Sequence, residues 1–223
     1  MARRLKETMA HCAVYEGEVM QDKAREKVPV ERLHEEAHAV MKEEGGSFEV
    51  NLLKRVLNWF KNDFFTWTNN PPCKYCSSTS TRNVGMATPS GDELRWGGTR
   101  VELYACETCN KFTRFPRYNS PEKLLETRTG RCGEWANTFT LIARSLGYDA
   151  RYVLDWTDHV WTEVWVEDTP GEGRWVHTDC CEAAYDAPLM YEKGWGKKLS
   201  YVFAFSHVEV TDVIRRYSRN PAN

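Results

Sequence analysis

The sequence predicts an α+β fold: a helix carrying a cysteine in its first turn packs on an antiparallel sheet, and a four-cysteine metal lobe is set into the chain. Three observations predict it. Helical apolar spacing dominates the front of the chain, whereas β-branched and aromatic runs follow behind residue 150, an order that argues for segregated helices and strands. Two of those runs, 159–166 and 174–179, flank a Gly- and Pro-containing stretch and read as a hairpin. Two CxxC pairs, Cys73/Cys76 and Cys106/Cys109, have the spacing of paired zinc knuckles. At 223 residues the chain is long enough to bury one sizeable core.

Residues 5–44 are charged and helix-forming, with apolar positions at Val14, Val19, Val28, Val30, Leu33, Ala37 and Val40. Pro29 divides them into two helical pieces. Gly45-Gly46-Ser47 is a break, after which helical spacing resumes over 48–65 through Leu52, Leu53, Val56, Leu57 and Phe60. The organisation predicted is a helical region over 1–50, a core over 51–217 with a metal-binding insertion at about 71–112, and a tail over 218–223.

Within the insertion, two residues between cysteines let both sulfurs of a pair reach one ion at about 2.3 Å, and a closed four-sulfur set leaves no position for substrate. Zinc held by Cys73, Cys76, Cys106 and Cys109 is therefore structural. The 29 residues between the pairs, 77–105, predict a loop-rich excursion containing Pro89, Gly91, Gly97 and Gly98. Two disulfides or four free thiols are the alternatives.

A short helix is predicted over 121–125, with Ser120 able to cap it and Pro121 suited to its first position. Next comes the cysteine helix. From Trp135 the large apolar residues recur as Phe139, Ile142 and Leu146, and Gly147 supplies the stop, so Cys132 lies in the first turn. Unpaired N–H groups and the helix dipole favour a thiolate there, while Glu134 opposes it. Other elements must complete the activation. A hairpin loop centred near Thr169 sets His159 opposite Asp179, with Cβ atoms roughly 5 Å apart. His159 then deprotonates Cys132 and Asp179 orients the imidazole. His177, which shares strand parity with Asp179, is the competing base. The last elements predicted are a strand over 199–205 and a helix over 207–217.

Thirty basic and 32 acidic residues leave a formal charge of −2, which gives no electrostatic case for nucleic acid or an anionic membrane. The N-terminus has no apolar signal region and no run of about 18 apolar residues occurs, so the expectation is a soluble cytosolic or nuclear protein. The eight cysteines fall to four metal ligands, one nucleophile and three others, Cys12, Cys180 and Cys181, a pattern unlike a disulfide framework.

The strings 130–137 (GRCGEWAN), 158–164 (DHVWTEV) and 194–201 (GWGKKLSY), together with the two CxxC pairs, resemble the core of the cytoplasmic peptide:N-glycanase family. That family lies in the transglutaminase-like, papain-related superfamily, and the resemblance covers nearly everything from Asn51 to Tyr217. It implies a transglutaminase-like (papain-like) cysteine hydrolase core whose substrate is the amide between a glycosylated asparagine side chain and the first N-acetylglucosamine. It implies the triad Cys132, His159 and Asp179, and an oxyanion role for Trp67. It further implies that Arg151, Trp161, Glu163, Trp175 and Glu182 surround the cleft and help bind the chitobiose or the peptide. The implied clients are misfolded N-glycosylated proteins, and the implied partner is a proteasome-shuttle ubiquitin receptor docked through the terminal helices.

Overall fold

A computed structural model describes residues 1–169 and 171–221. The chain opens with α1 (Ala2–Cys12), a 3-10 turn (Ala13–Glu16), α2 (Glu18–Arg25) and α3 (Val30–Glu44). The region 5–44 is thus broken twice, at Gly17 as well as at Pro29. α4 (Phe48–Trp59) is capped by the Ser47 side chain, which accepts the Val50 N–H, and it runs into a π-type turn (Phe60–Phe64) that ends at β1 (Thr66–Trp67).

The insertion is more regular than its glycines and prolines suggest. β2 (Thr81–Ala87), β3 (Val101–Cys106) and β4 (Phe112–Pro116) form an antiparallel sheet in the order β2-β3-β4, with α5 (Gly91–Arg95) between the first two strands. α6 (Pro121–Thr127) begins as predicted, with Ser120 Oγ accepting the Lys123 N–H. β5 (Thr129–Gly130) pairs with β1 in parallel and leads into α7 (Cys132–Ser145), which stops ahead of Gly147.

The main sheet follows: β6 (Ala150–Asp155), β7 (His159–Thr169), β8 (Glu172–Asp179), β9 (Ala184–Tyr185), a second π-type turn (Met190–Gly194), β10 (Val202–Phe205) and β11 (Val210–Asp212), closed by the single turn α8 (Ile214–Tyr217). Its order is β11-β10-β6-β7-β8-β9 and every neighbouring pair is antiparallel. Of the helix predicted over 207–217 only the last turn, α8, forms, and the strand β11 stands in front of it. β-Branched Val210 and Thr211 pair with Phe205 and Ala204 across a turn in which Ser206 Oγ accepts the N–H groups of Val208 and Glu209, so sheet pairing overrides helical spacing.

The β7–β8 hairpin also departs from expectation. Glu163 pairs with His177 and Thr162 with Thr178, a register centred one residue beyond Thr169 that sets Trp161, and not His159, opposite Asp179. The cause is local. A Cβ at Gly173 would lie 2.4 Å from the Trp165 ring, so the indole lies across a position only glycine can fill and pins the ladder there. Pro170 of the hairpin loop and residues 222–223 of the tail lie outside the described residues.

Both faces of the sheet are covered. Val160 and Val164 join α4, α7 and the N-terminal helices in one hydrophobic cluster, while Trp161 packs with Tyr191, Leu199, Val202 and Tyr217 in a second. This burial of both faces encloses every side chain from His159 to Val164 and sends Trp161 and Glu163 to the face away from α7. No helix among the described residues is long and apolar enough to cross a membrane.

Candidate active site

Cys132 is the first residue of α7 and is half-buried. The approach to it is tightly built. A Cβ at Gly130 would fall 2.4 Å from Glu134 Cβ, so glycine lets the Glu134 side chain fold back over the chain and accept the Arg131 N–H at 3.0 Å. Glu134 is nearly enclosed, and Arg117 grips its carboxylate with Nη2 2.7 Å from Oε2 and a second contact from Nε to Oε1. The acid expected to work against the thiolate is therefore matched by a half-buried guanidinium. Arg131 is held in turn: Nη1 and Nη2 donate to the two oxygens of Glu102 at 2.9 and 2.8 Å, and Nη2 also reaches Tyr104 Oη at 3.1 Å and the Asn69 carbonyl at 2.8 Å. Burial works against the Glu102 carboxylate, but the hydrogen bonds from Arg131, Tyr104 and Arg117 prevail and hold it down at about 2.

His159 opens β7 directly after the turn from β6. Asp155 shapes that turn by accepting the Thr157 N–H at 2.9 Å and the Lys197 ammonium at 2.7 Å. His159 Nε2 lies 2.8 Å from Asp179 Oδ2. The pair is diagonal across the ladder rather than directly opposite, and a diagonal neighbour on the same face is within reach of an imidazole. Because Nε2 serves Asp179, Nδ1 is left for the sulfur. Burial lowers the His159 imidazole, but hydrogen bonds and charge from Asp179 and Cys132 outweigh it and raise the group to about 9. Asp179 is fully buried; desolvation pushes its carboxyl up, yet the His159 and Tyr191 hydrogen bonds and the imidazole charge leave it below its ordinary value. The Trp195 ring meets the imidazole edge-on at 5.1 Å and so screens it from water.

The four knuckle cysteines converge. Their sulfurs all lie within 4.8 Å of one another, with Cys73 Sγ 3.5 Å from Cys109 Sγ and Cys76 Sγ 3.6 Å from Cys106 Sγ. Those separations are far from the about 2.05 Å of a disulfide and close to the edge of a tetrahedron with metal–sulfur bonds of about 2.3 Å. The donor set fits one metal ion.

Residues 85–180 match the Transglutaminase-like superfamily. Peptide-N(4)-(N-acetyl-beta-glucosaminyl)asparagine amidases from Macaca fascicularis and Homo sapiens are 51% and 50% identical over 221 residues, 96% of this chain and 33% of each relative. The Arabidopsis thaliana amidase is 47% identical over 97% of this chain and 30% of its own length. The chain is a transglutaminase-like homologue of these amidases. It spans about a third of the length of the curated relatives it matches. The crystal structure of Rad4-Rad23 crosslinked to an undamaged DNA matches over 96% of this chain and 46% of that chain, with a TM-score of 0.56 and 14% identity, which shows a shared fold.

In this homologue the remaining residues singled out from sequence fall in different places. Trp67 pairs with Gly130 across β1 and β5, is 45% exposed, and donates its indole N–H to Asn69 Oδ1 at 3.0 Å. Glu182 is exposed three residues past Asp179 and pairs with Lys61 at 3.5 Å. Arg151, Trp161 and Glu163 are enclosed. Glu163 accepts Arg151 Nε at 2.8 Å, Arg216 Nη1 at 2.8 Å and Tyr217 Oη at 2.6 Å, and the Arg151 guanidinium lies 4.1 Å from the centre of the Trp175 ring. Beside them a cavity of about 460 Å³ is lined by Trp165, Trp175, His177, Asp186 and Arg216 among others. Sequence reasoning missed Tyr191, Trp195, Arg117 and Glu102. The 194–201 string was the one signal pointing at Trp195.

Proposed function

We propose that the chain hydrolyses the amide linking a glycosylated asparagine side chain to the first N-acetylglucosamine of an N-glycan. The observation that carries the reading is the alignment of Asp179, His159 and Cys132 at the start of α7. About 50% identity to amidases of that name supports this reaction over others that use the same three groups. The Cys132 thiolate attacks the side-chain carbonyl carbon to give a tetrahedral oxyanion. His159, protonated at Nδ1, gives its proton to the departing nitrogen as the C–N bond breaks, and the glycosylamine leaves. Water then loses a proton to His159, attacks the thioester and releases aspartate with the thiol restored. Asp179 keeps the imidazole aligned and stabilises its charge throughout. Trp67, on the strand paired with the one that runs into Cys132, is assigned the oxyanion role in this reading, and its indole N–H then exchanges Asn69 Oδ1 for the oxyanion.

Cys73, Cys76, Cys106 and Cys109 hold zinc in this reading, and a closed four-sulfur site supplies cross-linking rather than chemistry. The clients are misfolded glycoproteins in the cytoplasm, because a scissile amide beneath a bulky glycan is presented best by an unfolded chain. Glu182 and Trp175 line the approach to the chitobiose or peptide, with Arg151, Trp161 and Glu163 shaping the wall behind Trp175. The partner is a ubiquitin receptor of the Rad23 kind, seated on the terminal helices; the shared fold with Rad4 makes it the first to test.

Cys132→Ala is expected to lower glycan release by about 10⁴-fold or more while leaving melting temperature and bound metal unchanged. Mass spectrometry of an N-glycopeptide reads the result as an asparagine-to-aspartate change with intact glycan. Near-normal turnover by the variant, a cut backbone or an amine cross-link would overturn the proposal.

A further inference from the structure

Behind Asp179 lies a second histidine that the reaction does not use. His177 is buried and two residues from Asp179 on β8, and its Nε2 is 2.7 Å from Tyr191 Oη. Tyr191 Oη is 2.8 Å from Asp179 Oδ2, the same oxygen that holds His159. The direction of each hydrogen bond follows from which groups are able to donate. Asp179 as a carboxylate only accepts, so the Tyr191 O–H donates to it. The Ala187 N–H points at His177 Nδ1 from 3.3 Å, so Nδ1 accepts and the ring proton sits on Nε2, where it donates to the Tyr191 oxygen. The chain runs one way, from Ala187 through His177 and Tyr191 to Asp179. The Cys181 N–H completes the cage by donating to Asp179 Oδ1 at 2.9 Å.

We infer that Tyr191 and His177 are positioning residues for the triad, fixing the Asp179 carboxylate that aligns His159. This rests on the triad assigned above. Burial supports it: desolvation holds His177 down at about 4, so it stays neutral and keeps this tautomer, and raises the Tyr191 phenol so that it keeps its proton. The Tyr191 ring is locked by Trp161 at 4.5 Å and Trp195 at 5.0 Å, so the hydroxyl has one place to point.

The charged and titratable groups facing the chain are Cys132 on α7, Cys180 and Cys181 after β8, Glu163 on β7, Asp186 after β9 and Tyr217 on α8. Arg174 and Arg216 line the cavity beside His177, Arg151 and Arg216 bind Glu163, and on the His159 side stand Asp155, its ladder partner on β6, and Lys197, which binds Asp155. Loss of one donor from Asp179 makes its carboxylate more basic, and it then holds the imidazolium proton more tightly.

Tyr191→Phe in the metal-loaded full chain keeps the ring and removes only the hydroxyl. Two readouts are used: the pH profile of glycopeptide hydrolysis, and the pH profile of Cys132 alkylation by iodoacetamide, followed by mass spectrometry of the Cys132 peptide. The expectation is a fall of about 10- to 100-fold in kcat with little change in KM, and an upward shift of the basic inflection in both profiles. His177→Phe is expected to move the inflection the same way, and His177→Gln, whose amide N–H can still donate to the Tyr191 oxygen, to restore it. Wild-type inflections in Tyr191→Phe overturn the inference. The alkylation profile decides the matter even if the wild-type chain releases no glycan, an outcome that would sink the proposed reaction alone.

Discussion

At the scale of single residues, the charge on His159 sets the working range. Its folded value of about 9 stands above the 6.5 of an ordinary imidazole, so the folded state binds the extra proton more tightly than the unfolded chain does. The resulting stabilisation is complete below pH 6.5 and is lost as pH rises through about 9. In the proposed reaction the same proton is the one delivered to the leaving nitrogen. Hydrolysis should therefore hold its rate across neutral pH and fall with a basic limb near 9, and kcat/KM measured from pH 6 to 10 checks it; a basic limb at 7 or below would mean that Asp179 and Cys132 do not support the imidazolium. Cys132, His159 and Asp179 could be singled out together because each sits on a regular element whose period can be counted. Tyr191 was not legible. It reaches Asp179 from an irregular π-type turn, where neither period 2 nor period 3.6 says which way a side chain points. Its fully buried ring, inserted among Trp161, His177 and Trp195, is a product of tertiary packing alone.

At the scale of elements, the start of α7 is held by charge. Arg117 leaves β4 and spans Glu134 on α7 and Glu102 on β3, and Arg131 binds Glu102 from the helix side. Each acid in this cluster is nearly inaccessible, so each guanidinium answers a buried carboxylate. Removing one partner strands a charge in a low-dielectric site, whereas removing a pair does not. Arg117→Met should cost about 3–5 kcal/mol, and adding Glu134→Gln should recover much of that loss. Chemical denaturation of the two single variants and the double variant measures the coupling, and strictly additive losses would mean that the pair is solvated. Sequence spacing placed Glu134 beside Cys132 but could not supply Arg117, seventeen residues away, because the link depends on where β4 ends against the helix. The hairpin shows the same limit. Strand parity put His159 and Asp179 on one face, yet the register depended on Trp165 finding Gly173 beneath it.

At the scale of the whole molecule, two kinds of cohesion meet at α7. The N-terminal helices, α4, α7 and one face of the main sheet share a single hydrophobic cluster, with Tyr15, Leu33, Leu57 and Phe139 all fully enclosed in it. Val101, Tyr104 and Phe115 of the three-stranded sheet are buried but belong to neither large cluster of the described residues. With few buried apolar side chains of its own, that sheet is in the situation in which a bound metal contributes folding energy outright. Its attachment to the rest runs through β3, which carries Cys106 at its end and Glu102 and Tyr104, the partners of Arg131, in its middle. The four-cysteine site and the start of α7 are thus tied to one strand. Stripping the metal with a strong chelator should leave the large cluster folded while the 73–116 segment becomes sensitive to protease. The consequence should travel further: amide exchange at Arg131–Glu134 should quicken, and Cys132 alkylation should lose its wild-type pH profile, because the strand that clamps Arg131 has loosened. Hydrogen exchange of the chelated protein reads both effects at once, and protection at Arg131–Glu134 that survives while 73–116 opens would show that the lobe does not hold the helix start.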